Sequence, residues 1–324
     1  MKNIIEEYHS KINEELKKLN FNSKPKELYD PIKYILKMKS KRVRPVLSIL
    51  AYKLMNEDWE KIVKPSLSLE LFHNFTLIHD DVMDKAIIRR GNKTIHEKWN
   101  NNIGILSGDL LMIFANDLLS EISEKLLPKI LKRFNEIAKR VCEGQQYDMS
   151  YEKENSISEN KYIEMIRLKT ATLLGFSLEF GGYLSNMKNS EIEKLYQFGE
   201  LIGIGFQLKD DYLDVYGNEK FGKKIGGDII ANKKTYLSIK AYEIASREDQ
   251  KVLDYWRSNK KKIINEKIKR VTEIFNKLNI KKLTEQKINL FFDNAHKKLD
   301  SLNFDDYKKK ELKNYLKLLL NRFI

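Results

Sequence analysis

Apolar positions along this chain return every three or four residues rather than every second one. Between 263 and 278, Ile263, Ile268, Val271, Ile274, Phe275 and Leu278 mark one face of a helix. The helix breakers agree with this reading. The five prolines are Pro25, Pro31, Pro45, Pro65 and Pro128, and no glycine follows Gly227, so the chain beyond it lacks both of the strongest breakers. The pattern predicts helices near 3–19, 26–38, 43–55, 58–83, 104–124 and 127–147. It predicts others near 159–184, 189–216, 229–246, 248–258, 261–278, 283–301 and 305–323. Loops are expected at Gly91 and at Gly217–Gly227, each just after an acid-rich helix end. No alternating β-branched run predicts a sheet, and no stretch reads as a linker. The expectation is an all-α fold, one large bundle forming a single domain over residues 1–324.

Composition narrows the setting. Of 324 residues 42% are hydrophobic and 33% charged, enough for a large core under a solvated surface. The net charge of +14 favours anionic partners, although much of this lysine belongs to helix surfaces. Cys142 is the lone cysteine, which excludes a disulfide framework or a cysteine-rich metal centre and fits a reducing cytoplasm. The N-terminus becomes charged too soon for a signal peptide. No apolar run approaches the roughly 20 residues that span a bilayer, so stable membrane insertion is not expected. Nucleic acid is disfavoured as well, because the acidic clusters repel it and no basic stretch is interleaved with aromatics.

Two of those clusters share one spacing. Asp80-Asp81-Val82-Met83-Asp84 ends an apolar stretch containing Leu69, Leu71, Phe72 and Phe75, and Asp210-Asp211-Tyr212-Leu213-Asp214 ends another. On a helix the first and last aspartates of each share a face and repel. A helix C-terminus already disfavours anions. A divalent cation offsets these penalties, and ligands that are all carboxylate oxygens suit magnesium better than zinc. Magnesium usually bridges few carboxylates to substrate phosphates, so the pair reads as a magnesium–diphosphate clamp. His79 and His73 lie near the first cluster, and a lone histidine there is more often a hydrogen-bonding group than a ligand.

Cations accompany these acids. Lys39-Ser40-Lys41-Arg42-Val43-Arg44-Pro45 precedes a helix, and Arg89-Arg90-Gly91 follows the first cluster. Lys169-Thr170, Lys223-Lys224 and Lys233-Lys234-Thr235 come later. Guanidinium groups bind phosphate in a fork and lysine binds it as a point charge.

This ordered set resembles the polyprenyl (trans-isoprenyl) diphosphate synthases, short-chain type, over roughly residues 39–236. The matching segments are Lys41 to Pro45, Leu77 to Asp84, Arg89 to Thr94, Gly144 to Asp148, Lys169-Thr170, Gly205 to Asp214 and Lys233 to Thr235. Ser40 departs from a usual glycine and Lys93 from a frequent proline. The resemblance implies antiparallel helices around a central substrate cavity, in a homodimer. It implies roughly three magnesium ions per site, bound through Asp80, Asp84 and Asp210, with Asp81, Asp211 and Asp214 in support. Arg89, Lys169, Thr170, Gln207, Lys233 and either Lys223 or Lys224 would contact an allylic diphosphate primer. Lys41, Arg44, His73 and Arg90 would hold isopentenyl diphosphate. The implied reaction is prenyl transfer to a product of fifteen or twenty carbons, geranylgeranyl ahead of farnesyl. A longer-chain synthase and a class I terpene cyclase are the alternatives. Helical phase places Thr76 nearer the Asp80 face, whereas the resemblance nominates Phe75 as the floor that limits product length.

Overall fold

The computed structural model describes residues 2–217, 225–258 and 263–321. The described structure is helical apart from one short hairpin, as the apolar period anticipates. The helices are α1 (Lys2–Lys18), α2 (Lys26–Lys37), α3 (Val43–Tyr52), α4 (Val63–Met83), α5 (Ile95–Lys98), α6 (Asn101–Ser120), α7 (Leu127–Lys153) and α8 (Glu159–Ile166). They continue as α9 (Thr172–Leu184), α10 (Asn189–Tyr216), α11 (Gly227–Ala231), α12 (Tyr236–Ile244), α13 (Arg247–Ser258), α14 (Ile264–Lys277), α15 (Ile280–Asp300) and α16 (Asp306–Asn321). The chain divides into two compact units. One comprises Met1–Glu136, Phe176–Tyr196 and Asn303–Leu312, the other Ile137–Gly175, Gln197–Leu302 and Lys313–Ile324.

In the first unit α4 is the central helix. Leu67, Leu69, Leu71, Phe72 and Ile78 are all at most 1% exposed, so most of its circumference is core. Apart from Lys64 in its first turn, its accessible polar residues gather toward the C-terminal end. Helix α6 packs against that end because Gly108 leaves room for it: a Cβ there would lie 2.4 Å from His79 Nε2. His79 sits in this seat 3.0 Å from the Ile105 carbonyl, so it serves packing, as a lone histidine usually does. The outer face of α6 is apolar and open, with Ile105, Leu106 and Ile113 exposed by 42%, 58% and 56%. By length and composition this 20-residue helix, with an 18-residue window of mean hydropathy 1.4, could cross a membrane, and 39% of that window is buried within the fold.

The helix expected over 159–184 contains a wider turn, Arg167–Ala171, in π geometry between α8 and α9, and this turn belongs to the second unit. It carries Lys169 and Thr170. Turns of this kind inside α-helices often mark functional sites. Gly144 of α7 lets it approach, since a Cβ there would fall 2.2 Å from the Lys169 amide nitrogen. The helix expected over 229–246 is two helices. Asn232 ends α11 in the left-handed region at φ 57, and Thr235 starts α12 through a capping box with Ser238.

Candidate active site

At the end of α4 the three aspartates differ in what surrounds them. Asp81 is 3% exposed and takes a forked contact from Arg89, Nε at 2.8 Å from both carboxylate oxygens and Nη2 at 2.7 Å from Oδ1. Burial pushes its carboxyl up and Arg89 pulls it part of the way back. Burial alone would lower Arg89, but its bonds and attraction to Asp81 outweigh that and raise it. Asp80 lies 3.6 Å from Arg89 Nη2 with a fifth of its side chain open, and Asp84 caps the helix. Arg89 thus fastens Asp81 inward and leaves Asp80 and Asp84 on the accessible end.

Arg89 reaches this place through a tight hairpin, strands β1 (Ile88–Arg89) and β2 (Asn92–Lys93), paired Ile88 to Lys93 and Arg89 to Asn92. Its two turn residues, Arg90 and Gly91, both have positive φ, 52 and 75, which a two-residue turn of this twist requires. Arg90 comes near Arg44 and His73. Burial, then the charges of Arg44, Arg90, Arg89 and Arg42, hold the His73 imidazole well below its ordinary value, so it is neutral at pH 7. Burial draws the Arg44 guanidinium down to about 10, still charged, and its buried Nε has no hydrogen-bond partner. Three of the four residues expected around isopentenyl diphosphate are therefore gathered, and the fourth, Lys41, is exposed beside them in sequence.

Arg42 and Glu70 escaped the sequence reading as site-building residues. Arg42 is left-handed at φ 44 and 3% exposed. It donates from Nη1 to Glu70 at 2.7 Å, from Nη2 to the Leu36 carbonyl at 2.7 Å, and from Nε to Asn13 at 3.2 Å. Arg42 is thereby a brace that fixes the turn before Arg44. Nothing in the run Lys41-Arg42-Val43-Arg44 says which arginine turns inward.

In the second unit the second acidic motif is divided in the same way. Asp211 is 5% exposed and accepts hydrogen bonds from Tyr162 Oη, from Gln207 Nε2 at 3.1 Å and from the Tyr236 amide at 3.3 Å. Burial, with the charge of Asp228 adding to it, pushes its carboxyl up to about 8. Asp210 stays half-buried, and Asp214 accepts from the Asp228 amide at 3.0 Å, holding the start of α11. Thr170 Oγ1 donates to Gln207 Oε1 at 3.3 Å, and Lys169 Nζ lies 2.6 Å from Asp148. Lys233 is half-buried after α11, while Lys223 and Lys224 fall outside the described residues. Tyr162 is the partner that sequence reasoning missed here.

Phe75 and Thr76 also separate. Thr76 turns its hydroxyl to the His73 carbonyl at 2.8 Å. Phe75 heads a row of rings in the first unit: Phe75–Phe72 at 5.6 Å, Phe72–Phe134 at 5.1 Å, Phe134–Phe176 at 6.1 Å and Phe176–Phe180 at 6.0 Å.

Among the described residues no group of three or more His, Cys, Asp and Glu is gathered to hold a metal ion. The accessible donors of the two motifs are carboxylate oxygens, and a hard divalent cation such as magnesium takes one or two of these with water and substrate phosphate.

Comparison with known proteins places the whole chain. The profile of the polyprenyl synthetase family matches residues 25–278. A geranylgeranyl pyrophosphate synthase from Geoglobus acetivorans is 38% identical over 243 residues, 74% of this chain and 76% of its own. A short chain isoprenyl diphosphate synthase from Methanocaldococcus jannaschii is 38% identical over 275 residues, 84% and 82% of the two chains. The crystal structure of a geranylgeranyl pyrophosphate synthase superposes with a TM-score of 0.92 at 35% identity, covering 98% of each chain.

Proposed function

The chain belongs to the polyprenyl synthetase family, and we propose that it joins isopentenyl diphosphate to an allylic diphosphate primer. It is a short-chain prenyltransferase, and the all-trans twenty-carbon geranylgeranyl diphosphate is the product favoured by its relatives. The observation that carries the two-substrate reading is the set Arg44, Arg90 and neutral His73 beside the α4 carboxylates. Arg44 keeps a buried, unpartnered Nε there, which suits a phosphate oxygen. Residues 1–324 act as one catalytic domain in this reading.

Asp80, Asp84 and Asp210 would hold magnesium, which supplies Lewis-acid stabilisation of the negative charge on the departing diphosphate. Arg89, Lys169, Thr170, Gln207 and Lys233 orient the primer's diphosphate and share that charge as the allylic C–O bond breaks. Lys41, Arg44, His73 and Arg90 anchor isopentenyl diphosphate so that its double bond meets the allylic cation. The proton then released passes to the freed diphosphate, as in the family it belongs to; among the described residues no side chain is identified as a general base. Apolar helix walls around the site keep water from quenching the cation. Phe75, first of the ring row, is the floor that limits tail length, and the rings beyond it pack behind that floor. A second copy of the chain covers the open apolar face of α6, and the reaction runs in the cytoplasm.

The test is to incubate labelled isopentenyl diphosphate with dimethylallyl, geranyl and farnesyl diphosphates, with and without magnesium, and to size the products. Magnesium-dependent incorporation ending at twenty carbons is expected. Incorporation untouched by removal of divalent metal overturns the reading.

A further inference from the structure

Lys234, the second lysine of Lys233-Lys234-Thr235, has no part in the reaction above. It lies with Arg257 on the wall of a cavity of about 970 Å³ within the second unit. The apolar side of that cavity is Ile157, Ile229, Leu253, Val271 and Phe275, each at most 9% exposed. Lys233 and Asp228 also line it, so the cavity adjoins the proposed diphosphate contacts and shares Lys233 with them.

The two cations converge. Lys234 Nζ and Arg257 Nη1 donate to the same oxygen, the Asn155 carbonyl, at 2.9 and 2.5 Å, and Arg257 Nη2 donates to the Glu154 carbonyl at 2.7 Å. Carbonyls satisfy the donors but leave two like charges side by side. Among the described residues neither cation is ion-paired with a carboxylate. The acids around them are bonded elsewhere: Glu154 with Lys161 at 3.4 Å, Asp254 with Tyr242 Oη at 2.8 Å, and the lining carboxylates Glu159 and Glu243 with Lys240 at 3.4 and 3.0 Å. Burial and then the charge of Arg257 pull Lys234 down to about 8. An anion placed between the two heads removes the repulsion and gains charge-assisted hydrogen bonds.

We propose that this cavity is a second ligand site, which takes a phosphate or diphosphate head on Lys234 and Arg257 and an aliphatic chain against Ile229, Leu253, Val271 and Phe275. The same chemistry describes a prenyl diphosphate, which is this enzyme's own product if the proposed reaction holds, and a lysophospholipid. Occupancy bears on turnover through Lys233, the adjacent residue of the same loop.

The full chain is titrated calorimetrically in EDTA, which silences metal-dependent binding, with geranylgeranyl diphosphate, lysophosphatidate and inorganic diphosphate as probes. At least one tailed probe binds, and inorganic diphosphate binds roughly tenfold more weakly. Lys234→Ala and Arg257→Ala each weaken the tailed probe by roughly tenfold, whereas Arg257→Lys retains most of it. Val271→Trp, which fills the apolar side, abolishes it. Turnover at low product is unchanged in Lys234→Ala, and Asp210→Ala binds the tailed probe as the parent does. Preference for geranylgeranyl diphosphate or for lysophosphatidate assigns the source, and either supports the site. Absence of metal-independent binding, or binding that survives both Lys234→Ala and Val271→Trp, overturns it. Loss of the prenyl-transfer reading shows separately, as a chain that binds the tailed probe but turns over no isopentenyl diphosphate.

Discussion

Removing the Arg42 guanidinium probes how the basic turn before α3 is held. Its side chain is 4% exposed and that of its partner Glu70 is 1% exposed, so the pair is dry on both sides. Arg42→Ala deletes three hydrogen bonds and strands the Glu70 carboxylate. What remains to Glu70 is Ser40 Oγ and Asn74 Nδ2, both at 3.4 Å, and the charges of Arg44 and Arg90, none of which replaces the 2.7 Å contact from Nη1. Stranding a buried charge in this way costs about 3–5 kcal/mol, against a total stability of roughly 5–15 kcal/mol for a folded domain. The companion double variant, Arg42→Met with Glu70→Leu, removes both charges and keeps the volume. It should recover most of that loss, because a buried ion pair is close in energy to an apolar pair of equal size. Urea unfolding reads both, as a midpoint shift at constant slope. A loss below about 1 kcal/mol for Arg42→Ala, or a double variant no better than the single one, refutes the brace.

Gly144→Ala puts a methyl 2.2 Å from the Lys169 amide nitrogen, backbone that cannot swing aside. Turnover should drop by roughly tenfold or more as Lys169 moves from its place, measured beside a melting curve showing that the variant is folded. His73 is held well below its ordinary value in the folded chain, so the unfolded chain takes up its proton first as pH falls. Its contribution is complete above pH ~6.5 and declines toward the folded value, by at most about 1.4 kcal/mol per pH unit. His73→Asn should flatten the slope of stability between about pH 6.5 and 5, and an unaltered slope contradicts the assignment. Phe75→Ala opens the first ring of the row, and chromatography should show products at least one isoprene unit longer. An unchanged length means that Phe75 is only packing.

The helices were legible because their apolar period is set by burial of one face, which local sequence records. The two acidic motifs were legible because repulsion between Asp80 and Asp84, or between Asp210 and Asp214, is a local penalty that needs a cation. What local sequence does not record is the partner a charge finds across the fold. Arg42 meets Glu70 from 28 residues away and Tyr162 meets Asp211 from 49. Such long-range pairings are set by packing, so the sequence names Asp211 as a supporting carboxylate without showing that Tyr162 fastens it. The π turn at Lys169 was hidden for a related reason: the apolar pattern continues smoothly through it, and its cause is the close approach of Gly144. The hairpin at Arg90-Gly91 had a visible signal in its glycine, but no alternating run flanked it. The break after α11 had one too, in Thr235 and Ser238 at capping-box spacing.

The central claim is that the accessible carboxylates of both motifs work through magnesium on a diphosphate. Its most direct test is turnover of isopentenyl diphosphate with an allylic primer in folded Asp80→Ala and Asp210→Ala. A fall by orders of magnitude, equivalent to roughly 3–4 kcal/mol or more of transition-state stabilisation in each, is the expected result. Turnover close to that of the parent chain in both variants contradicts the account.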